Sequence, residues 1–262
     1  MDSGDSKPAH GQTKRLAGRH AVVTGASSGI GRAIATAFAR EGASVLVTYR
    51  QNAAGAAETL RGIEAAGGEA RALRADVSLE ADVARLTAEA FGHGQVDVWV
   101  NNAGADILTG EGARRSDLEK LDLVLGVDLR GTVLCSWAVA ERLRAQGRGV
   151  ILNVSWDHVL TGAPGRLSEI YAAAKGGVLA FSKCLARSFA PEVRVAVLAP
   201  GWIETAFAAG LAEDKRRRIA DRTVLGRWGT PEDVAEAAVF LASPAAEFLT
   251  GTTLLVNGGT VM

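Results

Sequence analysis

Cysteine is nearly missing from this sequence: there are two, Cys135 and Cys184, and neither has a second thiol or a histidine at metal-ligand spacing. That excludes a disulfide framework and a zinc finger, and both are expected to be core thiols, the usual place of a free cysteine. Excess charge is missing too, with 29 Lys plus Arg against 29 Asp plus Glu. No overall field would hold the chain on nucleic acid or an anionic membrane, so a small-molecule partner is expected. No uninterrupted apolar run approaches the ~20 residues that cross a bilayer. Met1 to Arg15 is polar and lacks the apolar stretch of a secretory leader. The expectation is a disordered tail over residues 1–15, then a cytoplasmic protein in a reducing compartment.

What is present is regular alternation. Short apolar runs at His20 to Thr24, Ser44 to Thr48, Glu69 to Ala75, Val96 to Val100, Gly149 to Val154, Val193 to Leu198 and Thr253 to Val256 read as seven strands. Between them lie amphipathic segments at Ile30 to Glu41, Ala53 to Ala66, Glu80 to Phe91, Ser116 to Ala145, Tyr171 to Ala190 and Pro231 to Leu241. This order predicts an α/β protein with a seven-stranded parallel sheet covered by helices on both faces, a Rossmann fold. No linker or internal repeat divides it, so residues 16–262 are expected to form one domain. The stretch Thr230-Pro231-Glu232-Asp233 marks a helix start, with a capping hydroxyl, a first-turn proline and acids at the positive end of the dipole.

The first strand runs through Thr24-Gly25-Ala26-Ser27-Ser28-Gly29-Ile30-Gly31 into a helix. Glycines there let the backbone turn sharply and approach a pyrophosphate, while the amides of the helix start favour anions. The absence of Gly-Lys-Ser/Thr argues against a mononucleotide loop. A fold that binds NAD(H) usually carries an acid at the end of the second strand for the ribose hydroxyls, but no Asp or Glu lies between Ser44 and Gly55. Arg50 stands there instead and can pair with a 2'-phosphate, so NADP(H) is favoured over NAD(H).

Tyr171 and Lys175 lie four apart in Tyr171-Ala172-Ala173-Ala174-Lys175, on one face of a helix. A neighbouring ammonium is expected to lower the phenol's pKa toward the range useful for proton transfer. With this pair, the glycine turn, Asp76-Val77, Asn101-Asn102-Ala103-Gly104, Pro200-Gly201-Trp202-Ile203-Glu204-Thr205 and Arg227 to Val234 in that order, the chain resembles the short-chain dehydrogenase/reductase family from about Leu16 to Gly259. It resembles the family's 3-oxoacyl carrier-protein reductases and glucose dehydrogenases. The resemblance implies hydride transfer between a nicotinamide and a carbonyl or alcohol carbon, with Tyr171 as the acid-base and Lys175 tuning it and binding the nicotinamide ribose. It implies that Gly25, Ser27, Ser28, Gly29, Ile30 and Gly31 cradle the phosphates, that Asp76 and Val77 bracket the adenine, and that Asn102, Ala103 and Gly104 line the cofactor. Pro200 and Gly201 lead into Ile203 and Thr205, which hold the nicotinamide amide. A homotetramer through the long helices and Gly251 to Met262 is also implied.

Two positions depart from the family pattern. The family keeps an Asn in the long helix that holds a water in the proton relay, where this chain has Asp128; it reads either as a catalytic carboxylate or as a local structural acceptor. The substrate-binding serine falls in Val154-Ser155-Trp156-Asp157-His158, ahead of a loop two or three residues longer than usual. One gap placement puts Trp156 at the site and another Ser155; Ser155 is preferred, since a hydroxyl both donates and accepts. His158 reads as a partly exposed loop histidine, with a substrate contact or an acid-base helper as the alternative. The substrate is expected against a lid at about residues 202–226, an apolar stretch followed by the basic run Lys215-Arg216-Arg217-Arg218, which reads as a solvated face, with an acidic carrier protein as the alternative. Family members reduce 3-oxoacyl thioesters, sugars, steroids or polyketide intermediates. Two other readings stay open: a nucleotide-binding regulatory protein with weakened catalysis, and a redox-neutral isomerase or dehydratase.

Overall fold

The computed structural model describes residues 14–262, so the expected tail lies outside the described residues except for its last two. Of those, Arg15 is tied down rather than loose: its guanidinium lies 2.7 Å from Glu41 and 2.7 Å from Glu236.

The strands β1 (His20–Val23), β2 (Ser44–Tyr49), β3 (Glu69–Arg74), β4 (Val98–Asn101), β5 (Gly149–Val154), β6 (Val193–Pro200) and β7 (Thr253–Val256) form one sheet in the order β3-β2-β1-β4-β5-β6-β7. Every pairing is parallel, as the alternation of strands and helices predicts. Helices α1 (Gly29–Arg40), α2 (Ala53–Ala65) and α10 (Pro231–Ala242) cover one face. On the other face lie α3 (Glu80–Gly92), α6 (Thr132–Ala145) and α7 (Arg166–Phe189). The remaining helices, α4 (Gly110–Ala113), α5 (Asp117–Val124), α8 (Ala206–Ala209) and α9 (Glu213–Ala220), lie in the connections.

Strand side chains alternate between faces, and here both faces are buried. Val23, Val47, Val100 and Leu152 pack with Ile34, Phe38 and Leu241 on one side. Their neighbours Val22, Leu46, Trp99 and Ile151 pack with Leu86, Val139 and Phe189 on the other. This is why the strands read as continuous apolar runs rather than alternating ones. Cys135 belongs to the second core, where burial pushes its thiol up to about 12. Cys184 does not: it is exposed, against the expectation of two core thiols.

The segment expected as one helix over Ser116 to Ala145 is helical throughout but not uniform. Ser116 and Glu119 form a reciprocal cap at its start, and between α5 and α6 the turns widen to a π-helix over Leu125–Gly131. By length and composition alone Asp117–Ala145 could cross a membrane, yet half of its most apolar window is buried inside the fold. α7 begins at Arg166, ahead of the expected Tyr171, after Gly165 in a left-handed conformation (φ 103°). α10 starts where Thr230 predicts: its hydroxyl and the Asp233 carboxylate cap each other's backbone amides. The Arg227 guanidinium, 2.7 Å away, holds Asp233 down at about 2.

Inside the second layer a polar network crosses between strands and helices. Asn101 pairs in register with Asn153. Its amide donates to Asn153 Oδ1 at 2.8 Å and Ser136 Oγ at 2.9 Å, and its oxygen accepts from Trp99 Nε1 at 2.8 Å. Asn153 in turn donates to Ser182 Oγ at 2.8 Å. Every member is nearly sealed from water, and each buried polar group left unpaired costs about 1–3 kcal/mol. Asn101→Ala therefore lowers the unfolding free energy by about 3 kcal/mol or more, read by urea denaturation with an unchanged m-value. A loss under about 1 kcal/mol would show that the network contributes no net stability.

Candidate active site

The sheet order reverses between β1 and β4, and ligands of open parallel sheets bind outside the carboxyl ends of the strands at such a point. A cavity of about 680 Å³ opens there, lined by Gly25, Ser27, Ser28, Arg50, Asp76, Val77, Ala103 and Gly104. A second, of about 600 Å³, is lined by Ile30, Ser155, Tyr171, Pro200, Gly201, Ile203 and Thr205. Gly29 borders neither, and Gly31, Asn102 and Lys175 work from behind the walls.

The glycine turn is shaped by what presses on it. Gly25 and Gly29 are left-handed, at φ 65° and 52°. A Cβ on Gly25 would come within 2.7 Å of Ala103 Cα, and one on Gly31 within 2.4 Å of Asn102 Nδ2. Asn102 donates to the carbonyls of Thr24 (2.9 Å) and Gly25 (3.1 Å), while Thr24 Oγ1 accepts from the amides of Asn102 and Ala103. The end of β4 is thereby bound to the turn. Arg32 holds the other side through the carbonyls of Ser27 (2.7 Å) and Gly55 (3.2 Å). Ser28, the N-cap of α1, makes no side-chain capping bond, so the first-turn amides take no acceptor from their own cap. This cradle fits a pyrophosphate.

Farther along the first cavity Arg50 approaches Asp76 at 3.8 Å. Asp76 accepts from the Ser78 amide (3.0 Å) and hydroxyl (2.6 Å), and Val77 packs on Gly131, where a Cβ would come within 2.7 Å of it. Sequence reasoning passed over Arg74. It pairs in register with Tyr49, lines the same cavity, and donates from Nε to the Arg50 carbonyl at 3.1 Å. Only the β2-β3 register brings the two cations together.

The second cavity holds Tyr171 in its wall, with Lys175 behind it. Tyr171 and Lys175 share a face of α7, with Lys175 Nζ 5.4 Å from the centre of the Tyr171 ring. Lys175 is buried. Its ammonium donates to the Val154 carbonyl at 3.0 Å and lies 3.0 Å from Asp128 Oδ2, and Asp128 is fully enclosed. The other Asp128 oxygen accepts from the Ala105 amide at 2.8 Å. Asp128 sits in the π turn, and Gly104 and Gly177 leave room there: a Cβ on Gly104 would stand 3.1 Å from Asp128 Oδ2, one on Gly177 2.9 Å from Leu129 Cδ1.

These contacts reverse one expectation. Burial disfavours the phenolate and raises the pKa of Tyr171; Lys175 opposes this, but Asp128 adds to it, and the net shift is upward. Burial also works against the Lys175 ammonium, but attraction to Asp128 and Tyr171 outweighs it and holds its pKa above the ordinary lysine value. A carboxylate at Asp128 beside Lys175 is expected from the sequence to stabilise the ammonium and shift the titration, and the structure places the two 3.0 Å apart.

Ser155 is buried at the end of β5 and its hydroxyl donates to the Lys175 carbonyl at 2.8 Å. Trp156 stands edge-on to Tyr171, ring centres 5.5 Å apart, and lines the same cavity. His158 is buried rather than partly exposed: its Nδ1 lies 2.6 Å from Asp157 Oδ1, and its ring stacks on Trp156 at 5.0 Å. It is a support of the cavity wall and not part of its lining. In the basic run Arg216 pairs with Glu204 and Arg218 with Asp214, each at 2.9 Å, while Lys215 turns to the cavity.

A family model described as enoyl-(acyl carrier protein) reductase matches residues 25–261. The chain is 41% identical over 249 residues to 3β-hydroxysteroid dehydrogenase 1 of Eggerthella lenta, covering 93% of this chain and 94% of that one. It is 40% identical over 252 residues to cis-4-hydroxycyclohexanecarboxylate dehydrogenase of Sinomonas cyclohexanicum, covering 93% and 97%. Among solved structures it superposes with a TM-score of 0.85 and 32% identity on a 7α-hydroxysteroid dehydrogenase complexed with NADH and 7-oxo glycochenodeoxycholic acid, covering 94% and 96%. With its parallel seven-stranded sheet, its glycine cradle and its paired tyrosine and lysine, the chain belongs to the short-chain dehydrogenase/reductase family of nicotinamide-dependent oxidoreductases.

Proposed function

We propose that this protein is an NADP(H)-dependent ketoreductase of small carbonyl compounds, working mainly in the direction of reduction. The observation that carries the reading is the position of Tyr171: in the wall of a largely apolar cavity, beside a buried lysine whose charge is already matched by Asp128. A phenol with a raised pKa stays protonated at neutral pH, the state in which it can give a proton to a carbonyl oxygen.

The residues that would hold the cofactor are the glycine turn, Asp76 and Val77, the backbone of Asn102, Ala103 and Gly104, and Ile203 and Thr205. NADPH, when bound, supplies the hydride. Tyr171 donates its proton to the substrate oxygen. Lys175 and Asp128 fix the charge behind it, and the tryptophans of the wall keep water from the reacting carbonyl. Two features favour the phosphorylated cofactor: the absence of an acid between Ser44 and Gly55, and the juxtaposed Arg50 and Arg74. The relatives named for steroid and cyclohexane alcohols support a ring carbonyl as readily as a 3-oxoacyl group. For assembly we propose a homotetramer. Trp137 of α6, 59% exposed and edge-on to Phe181 of α7, is the kind of apolar side chain such an interface would cover, as are the exposed Phe248 and Met262. The ion pairs in the basic run leave less free charge for an acidic carrier protein. We place the protein in the cytoplasm.

With an accepted ketone, Tyr171→Phe lowers kcat for NADPH oxidation by about 10² or more while NADPH binding is kept. A protein that binds NADPH but consumes it with no carbonyl from a panel of ring ketones, 3-oxoacyl thioesters, quinones and aldehydes is instead regulatory or redox-neutral.

Asp128→Asn keeps an acceptor for the Ala105 amide but removes the carboxylate charge that raises the Tyr171 pKa. Alcohol oxidation needs the phenolate and therefore rises with pH through that pKa. In the variant this rise moves to lower pH, and the alkaline fall of ketone reduction moves the same way. Profiles of kcat/KM in both directions check this, and unmoved limbs would show that Asp128 does not act on the phenol.

A further inference from the structure

The wall of the cavity beside Tyr171 has a composition that the acid-base chemistry does not require. Trp156 and Trp202 both line it, and neither is left to swing freely. The His158 ring stacks on Trp156, with centres 5.0 Å apart and an interplanar angle of 22°. The same ring stands edge-on to Trp202 at 6.3 Å, and Trp202 in turn stands edge-on to the buried Trp228 at 5.8 Å. His158 is anchored through Asp157, whose second oxygen accepts from Asn257 Nδ2 at 3.2 Å. A rigid, flat, apolar surface gains most from a rigid, flat or compact apolar partner, because little conformational entropy is lost in laying one on the other.

Part of the polar lining of the same wall is occupied, while the hydroxyls of Ser168 and Thr205 have no side-chain hydrogen bond among the described residues. Ser155 is committed to the Lys175 carbonyl, and the Asp106 carboxylate to the amides of Leu108 and Thr109. Arg166 is paired with Glu169 at 2.6 Å. Of the three charged side chains in the wall, Asp106, Arg166 and Lys215, Lys215 is the one whose side chain has neither an ion-pair nor a hydrogen-bond partner among the described residues. Lys215 is exposed, and an ammonium without a protein partner at the edge of an apolar cavity is open to one anionic group on the ligand.

Resting on the ketoreductase reading, we propose that the substrate is a ring ketone carrying a single carboxylate, its ring against Trp156 and Trp202 and its carboxylate at Lys215. The nicotinamide side of the cavity, at Ile203 and Thr205, stays free for the cofactor.

Isothermal titration of the NADPH-loaded Tyr171→Phe protein tests the proposal without turnover, using 4-oxocyclohexanecarboxylate, its methyl ester and the open-chain 6-oxoheptanoate. The ring acid is expected to bind at least about fivefold tighter than either of the others. A further Lys215→Gln change abolishes the acid-over-ester ratio and leaves the ester's affinity unchanged, whereas Lys215→Arg keeps the ratio. Three results would overturn the proposal: no binding of the ring acid at millimolar concentration, equal binding of acid and ester, or a ratio that survives Lys215→Gln. Tight, Lys215-dependent binding of a ring acid that the unmodified enzyme does not reduce would keep Lys215 as a carboxylate contact but overturn the ring acid as substrate, and with no other ketone reduced it would remove the ketoreductase reading.

Discussion

Lys175 and Asp128 meet at 3.0 Å in a place almost sealed from water, and much of the active-site region is arranged so that they can. An unpaired ammonium at that depth would be costly, and removing one partner of such a pair typically costs about 3–5 kcal/mol. The pair therefore joins two elements far apart in sequence: the π turn of the long helix, which carries the carboxylate, and α7, which carries the ammonium and the tyrosine. Gly104 and Gly177 give the two elements room to approach, and the Ala105 amide satisfies the oxygen that the lysine does not reach. The widened turn over Leu125–Gly131 is the local cost of placing the carboxylate there, and π turns recur at functional sites for this kind of reason.

The nucleotide cradle depends on a second joint of the same kind, neutral rather than charged. Asn102 donates two hydrogen bonds to Thr24, from its amide to Oγ1 and from its side chain to the carbonyl, between the ends of β1 and β4, the two strands at which the sheet order reverses. The glycine turn cannot shift without moving β4. The segment after β4 in turn runs through Gly104 to Ala105, which bonds to Asp128. The glycine turn and the Lys175–Asp128 pair are thus linked through the backbone from Asn102 to Ala105.

The fold was legible because its signals are local. Parallel strands buried on both faces read as continuous apolar runs, and Thr230-Pro231-Glu232-Asp233 carries its own cap. The misses share the opposite property. α7 begins at Arg166 after a left-handed glycine rather than a capping hydroxyl. The π turn escapes because the apolar spacing continues through it. His158 is buried since Asp157 satisfies it and Trp156 stacks on it, and neither contact follows from adjacency in sequence. Cys184 sits on the outer side of a helix whose other side is core. At the site, Tyr171 with Lys175 was visible as a spacing, but the sign of the phenol's shift was not, because it depends first on how deeply the fold buries the phenol and then on Asp128 standing beside the lysine. Arg74 stayed hidden behind a strand register.

The departures from the family pattern act together rather than as separate losses. An asparagine in the long helix would leave the lysine's charge unmatched and able to stabilise a phenolate; Asp128 matches that charge and leaves the phenol protonated. A second free hydroxyl beside the tyrosine would offer the substrate another polar contact; here the Ser155 hydroxyl turns to the Lys175 carbonyl and Trp156 fills the wall. Trp156 makes the cavity drier. In a dry cavity the charged form of any acid is penalised, so the raised phenol and the aromatic wall reinforce each other. Such a site is suited to giving a proton to the oxygen of an apolar ketone rather than to holding a negative charge while taking one away.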